Sequence, residues 1–173
     1  MEELTIRENE INLEGYELSE KIADKSIRHH VYAAMAAGLI PIPFADFAGV
    51  AGIQLNLLRK LAKEYNVPFS KDMVKNLIGA LLGGAAPASA GPYLFSLLKA
   101  VPVVGLSVGM VSISLVSGAS TYAIGKVFNR HFAEGGIFLT FDPREARAFY
   151  AEMFRDGQKV IAELNAEKQR KDS

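Results

Sequence analysis

The residues best able to do chemistry are few and scattered. The histidines are His29, His30 and His131. The first two are adjacent, so on a helix they point to different faces. Zinc needs three or four ligands converging from set spacings. With no cysteine in the chain, these histidines make no such set, and no metal is expected. Gly118 to Val127 reads GASTYAIGKV. Its Gly-Lys pair looks like a phosphate loop only superficially. The glycine spacing is wrong, no Ser or Thr follows Lys126, and the preceding segment reads as helix rather than strand. Serines are plentiful but sit in no nucleophile elbow beside a recognisable base. Aromatic residues are not interleaved with basic ones as on a nucleic-acid platform. The expectation is a protein that is not an enzyme, holds no cofactor and binds no nucleic acid.

One polar residue stands out. Gly38 to Gly49 reads GLIPIPFADFAG, almost wholly apolar, split by Pro41 and Pro43 and holding the carboxylate of Asp46. Each proline removes a backbone donor and restrains the residue before it, so the pair forms a turn between two helices. Asp46 then falls near the start of the second helix. Its oxygen is placed to cap backbone N–H groups, with the helix dipole favouring its charge. The other reading makes it an interaction residue that pairs with a base on a partner or a lipid.

The elements around these residues follow from where the charges lie. The chain has 173 residues, with 19 basic side chains balancing 19 acidic ones. No overall field recruits nucleic acid or an anionic surface. The absence of cysteine excludes disulfides and thiolate chemistry. The acidic N-terminal segment lacks the basic start and apolar core of a signal peptide, so a cytoplasmic N-terminus is expected. Charges crowd into residues 1–28, 59–75 and 142–173. Val31 to Leu58 holds only Asp46, and Asn76 to Gly125 only Lys99. Lys99 divides the second tract into two uncharged runs, each about the ~20 residues that a membrane-spanning helix needs.

An all-α fold follows, read as glycine-rich helical hairpins plus a C-terminal amphipathic helix. Helices are predicted over Glu14–Leu39, Phe44–Tyr65, from Ser70 to the region of Gly83, over Pro92–Ala100 and from Pro102 to about Phe132. Ile137 to Phe141 is read as extended. Asp142-Pro143 is a strong start for the last helix, with Asp as cap and Pro at the first position. That helix carries an apolar stripe through Phe149, Tyr150, Met153 and Ile161. Packing is predicted against Leu57, Leu58, Leu61 and Tyr65 of the second helix. The chain divides into a polar tail (1–13), a helical-hairpin module (14–136), and a short linker with the C-terminal helix (137–173). The two proline-marked segments resemble each other. They are either a duplicated hairpin or two unrelated hairpins of small residues.

Small residues carry the packing expectation. Gly105 and Gly109 form a G-x-x-x-G, and Ser114, Gly118, Thr121 and Gly125 continue roughly one side of the same helix. Glycine costs about 1 kcal/mol per helical position relative to alanine, so this many need a reason. In lipid, small residues let helix backbones approach closely, and the third helix is the expected partner. Lys71 and Lys75 before the tract, with Lys126 and Arg130 after it, favour both ends on the cytoplasmic side. Pro102 would then mark the far turn. Pro102 to Gly125 covers roughly 36 Å as helix, enough for a ~30 Å hydrocarbon core. The first tract is too short to span. It is either a half-depth hairpin or a hairpin in a soluble core.

The segment AAGLIPIPFADFAGVAGIQLNLLRKLAKEY, followed by ALLGG, LLKAVPVVG and TYAIGKVFNRHFAEGG, resembles the bacterial family catalogued as domain of unknown function 697. The resemblance covers about residues 25 to 136. Its most specific part is the G-L-I-P-x-P-x-A-D block with the L-x-K/R-x-L-A-x-x-Y that follows. It implies a membrane-associated, glycine-zipper-like module, often fused behind a small Ras-like GTPase domain, for which this chain has no room. It carries over no catalytic residue. The expected function is a non-enzymatic, membrane-associated helical module on the cytoplasmic side of the cytoplasmic membrane. Lipid is one partner. A protein is the other, either a small GTPase in trans or a second copy. The alternative is a soluble helical adaptor or dimerisation protein in the cytoplasm that buries the same tracts. A lipid-related enzyme is a more remote reading.

Overall fold

Helix boundaries fall where the backbone runs out of partners. After α2 (Ala45–Glu64), Asn66 takes a left-handed conformation with φ 53°. Val67 N–H then donates to Ala62 O at 2.7 Å, and Asn66 N–H to Lys63 O at 3.3 Å. This Schellman turn satisfies the last carbonyls of the helix, and Pro68 prevents it from resuming. The turn after α4 (Leu106–Ala133) is built the same way around Gly135, φ 83°, with Gly136 N–H on His131 O at 2.8 Å. The start of α5 (Arg147–Lys171) carries the expected cap. Asp142 Oδ1 accepts from Arg144 N–H at 2.7 Å, and one loose turn over residues 143–146 leads into the regular helix.

The computed structural model describes residues 2–39, 45–83 and 106–171, and side chains at 15, 18–39, 49–83 and 113–163. Among the described residues there are five α-helices and no strand, an all-α fold. The other two are α1 (Glu2–Ala37) and α3 (Lys71–Gly83). Pro41, Pro43, Pro102, Gly105 and the helix expected over Pro92–Ala100 lie outside these residues, as does the far turn at Lys99.

Three expectations are corrected. The first helix begins at Glu2, not Glu14. The Glu, Arg and Leu of residues 2–13 are good helix formers, and Glu2 and Glu3 sit favourably on the dipole at the start. Ile137 to Phe141 is no strand. Phe138–Thr140 is a 3₁₀ turn that drives Phe138 and Phe141 into the core. The last helix packs along α4, not on the leucine face of α2.

α4 is the centre of the bundle, with α1, α2 and α5 as its neighbours, while α3 folds back on α2. Asp24 pairs with Lys126, and Ile27 meets Gly125. Farther up, Gly38 meets Ser114, so α1 and α4 run antiparallel. Phe149 lies under Arg130 and Gly157 against Ala119, so α5 is also antiparallel to α4. Gln54 reaches Ser120 and Tyr65 reaches Asn129, so α2 runs parallel to it. The end of α1, the start of α2, the end of α3 and the start of α4 therefore share one end of the bundle. The loops 65–70 and 134–146 share the other.

Leu57, Leu58, Leu61, Val74, Leu81, Ile124 and Phe128 are fully buried between these helices. Each such side chain contributes about 1.5–3 kcal/mol by leaving water. At the loop end the core is aromatic. Phe128 stacks on Phe141 with centroids 4.3 Å apart, Phe138 stands edge-on to Phe132 at 5.0 Å, and Arg59 caps Phe69 at 5.0 Å. Among the described residues no helix is long and apolar enough to cross a membrane.

Candidate interaction surface

The small residues of α4 mark where its neighbours come closest. A methyl placed on Gly118 would stand 2.6 Å from Met35 Cγ and 2.8 Å from Ile161 Cδ1. One on Gly125 would stand 2.7 Å from Ile27 Cγ1. Both distances are below van der Waals contact, so these glycines let α1 and α5 sit directly on the backbone of α4. Ser114 adds a hydrogen bond from its hydroxyl to Met35 O at 2.8 Å. The expected close approach therefore runs to α1 and α5 and not to α3. Gly109 lies in the first turns of α4, short of the described side chains. Asp46 is the second residue of α2, and its side chain is likewise outside the described set.

Polar side chains cross the core between these apolar contacts. Tyr150 on α5 donates to Ser120 Oγ at 3.1 Å. Gln54 on α2 donates to Ser120 Oγ and to Thr121 Oγ1, both at 3.4 Å. Thr121 donates in turn to Ser117 O at 2.8 Å. Burial raises the Tyr150 pKa, partly opposed by its bond to Ser120, so the phenol stays protonated and donates. Nearby, His30 is 3% exposed. Its Nδ1 donates to Ser26 O at 2.7 Å, and its Nε2 accepts from Asn56 at 3.3 Å. That arrangement suits the neutral ring. Desolvation lowers its pKa first, partly opposed by the Ser26 bond, with Lys60 and His29 adding smaller downward pushes. Sequence reasoning missed this polar chain. Its one signal was Gln54, an amide amid the apolar run of α2.

Among the described residues no group of three or more His, Cys, Asp or Glu side chains could hold a metal. A cleft of about 350 Å³ between α1, α4 and α5 is bordered by Glu20, Lys126, Arg130, Glu134 and Phe149. Its bases are engaged: Lys126 pairs with Asp24 at 2.6 Å and Arg130 with Glu134 at 2.8 Å. The surface that is poorly satisfied is apolar. Leu39 (46% exposed), Ile113 (42%) and Val116 (51%) lie at the end of the bundle away from the aromatic core. They share one level, because Gly38 meets Ser114 and Ser117 there. The chain adjoining them in sequence is also apolar: Ile40 to Phe44, and Val101 to Val104.

This chain is similar to a known protein over most of its length. It is 38% identical over 149 residues to magnetosome membrane protein 22 of Magnetospirillum gryphiswaldense, which covers 86% of this chain and 76% of that protein. No solved structure matches it. A family described as Domain of unknown function (DUF697) matches residues 16–158. That span takes in the small-residue contacts of α4, the polar chain through Tyr150 and the first half of α5. By this match the chain belongs to the domain of unknown function 697 family.

Proposed function

We propose that this chain is a non-enzymatic helical module that docks on the cytoplasmic face of the cytoplasmic membrane through its apolar end and binds a protein partner, a small GTPase supplied by another chain. The observation that carries the membrane part is the exposed group of Leu39, Ile113 and Val116 at one end of the bundle. Water would leave that surface at a gain, roughly in proportion to its apolar area. The relative named as a magnetosome membrane protein supports the same reading. Lys71, Lys126 and Arg130 lie toward the opposite end, where they would remain in the cytoplasm. The GTPase follows from the family's fused arrangements. The polar chain through Tyr150 serves helix packing in this reading, and no side chain is assigned to catalysis.

Flotation with vesicles of mixed zwitterionic and anionic lipid tests it. The wild type is expected to float, and Ile113→Asp with Val116→Asp to remain in the bottom fraction with an unchanged melting temperature. A wild type that stays at the bottom overturns the membrane reading. Retention of a GTP-loaded but not a GDP-loaded Ras-like domain on the immobilised chain tests the partner, and equal absence of both overturns that part alone.

A further inference from the structure

α1 has two apolar faces, and the described residues cover only one of them. The covered face holds Ala23, Ile27, Val31 and Ala34, all buried. On the other side Leu18 (59% exposed), Ile22 (43%) and Tyr32 (51%) lie open, with exposed Lys25 and His29 between them. Their spacings alternate between four and three residues, the period of a coiled-coil seam and not of a core-facing stripe. Ile11 and Leu4 continue the seven-residue step from Leu18 back toward the N-terminus.

The helix also outruns its support. Glu20 borders the cleft with Arg130 and Glu134, so α4, ending at Ala133, stops near the level of Glu17. α1 begins at Glu2, about 15 residues or roughly 22 Å earlier at the helical rise. A helical stretch of about that length is marginal in water without a packed face. The charges are unevenly divided along it. Residues 2–20 carry Glu2, Glu3, Glu8, Glu10, Glu14, Glu17 and Glu20 against a single base, Arg7. Residues 21–30 carry Lys21, Lys25 and Arg28 against Asp24.

We propose that a second copy of this chain docks antiparallel along this seam of α1, pairing Leu18 of each copy with Ile22 of the other. The two-fold arrangement lays the acidic half of each helix beside the basic half of its partner. A parallel pair would set seven glutamates beside seven more. The same alignment places Gly15 opposite Lys25, and a methyl on Gly15 would meet nothing within 4 Å, so the long side chain has room to lie across it. The acidic half argues against an anionic lipid surface as the occupant. The proposal is independent of the membrane reading, because its test contains no lipid.

The test is sedimentation equilibrium of the full chain at tens of micromolar. The expected wild-type mass is twice that of one chain. Leu18→Glu with Ile22→Glu is expected to halve it while the melting temperature of the bundle holds, since both positions are exposed. A monomeric wild type overturns the proposal, as does a double variant that stays dimeric. So does a wild type that is monomeric in solution but loses vesicle binding on the same substitutions, which would make the seam a lipid face. Because the chain has no cysteine, orientation reads cleanly from oxidative crosslinking. Gly15→Cys mixed with Lys25→Cys is expected to crosslink faster than either alone. Faster crosslinking of each variant with itself means a parallel pair and overturns the antiparallel arrangement.

Discussion

The two ends of the bundle are held by different kinds of contact. At the loop end, rings interlock: Phe128, Phe132, Phe138 and Phe141 touch one another, and Tyr65 ties α2 to Asn129 at 2.8 Å. At the far end, the contacts run through Gly38, Ser114 and Gly118, and apolar side chains remain in solvent. Large rings bury much area per residue and lock their neighbours into place. Small residues bring backbones together but hide little area themselves. The loop end is therefore a self-sufficient core. The far end is close-packed on its inside, and among the described residues it leaves Leu39, Ile113 and Val116 exposed on its outside.

The contrast can be broken most forcefully at the rings. Phe128→Ala removes the 0%-exposed hub of the aromatic core and is expected to cost about 3–5 kcal/mol, measured by denaturant unfolding. A loss below that of an ordinary surface change would mean that the loop end is not the anchor. Gly118→Leu addresses the other end. Its side chain meets Met35 and Ile161 at once, and the overpacking is expected to cost about 1–3 kcal/mol. Adding Met35→Ala should recover part of the loss. Additive losses in the pair would show that the two residues do not share the space.

Asp142→Ala comes next, with an expected cost of about 0.5–2 kcal/mol and a milder effect for Asn. Equal melts for all three chains would remove the cap from the account of how α5 begins. The smallest effect is one of pH. His30 is held neutral, below the ordinary imidazole value of 6.5. The unfolded chain therefore takes up its proton first as pH falls. Stability is full above about pH 6.5, declines below it, and levels off once the pH is under the folded value. His30→Asn should flatten that part of the profile, and an unchanged slope would assign it to other groups.

Much of this was readable from residue types, and the failures have physical causes. The end of α2, the start of α3, the glycine stop after α4 and the cap at Asp142 were legible because each depends on local backbone chemistry. The continuation of α1 to Glu2 was missed because a Glu-rich stretch reads as a polar tail when charge is weighed above helix propensity. The partner of α5 was misjudged from its apolar stripe alone. The better signal was Gly157 in the middle of that stripe, where a methyl would meet Ala119 Cα at 3.1 Å. A glycine inside an amphipathic helix marks the place where another backbone comes against it. The small-residue side of α4 was seen as a packing code, but spacing alone could not say which helices would read it. The exposed group at Ile113 and Val116 was hidden for a related reason. Within an uncharged tract, nothing in the sequence separates the side chains that face inward from those that do not.

The polar chain from Tyr150 through Ser120 to Gln54 and Thr121 has a consequence for how the bundle assembles. Surfaces made of Ala, Gly and Ser are nearly degenerate under translation: slide one helix along another by a turn, about 5.4 Å, and small residues again meet small residues. Hydrophobic burial alone barely distinguishes such vernier positions. A buried amide and three hydroxyls do, because in every slipped state they lose their partners together, at about 1–3 kcal/mol for each orphaned group. The chain of hydrogen bonds thus acts as a detent, adding little to the depth of the correct state and raising the energy of its near copies.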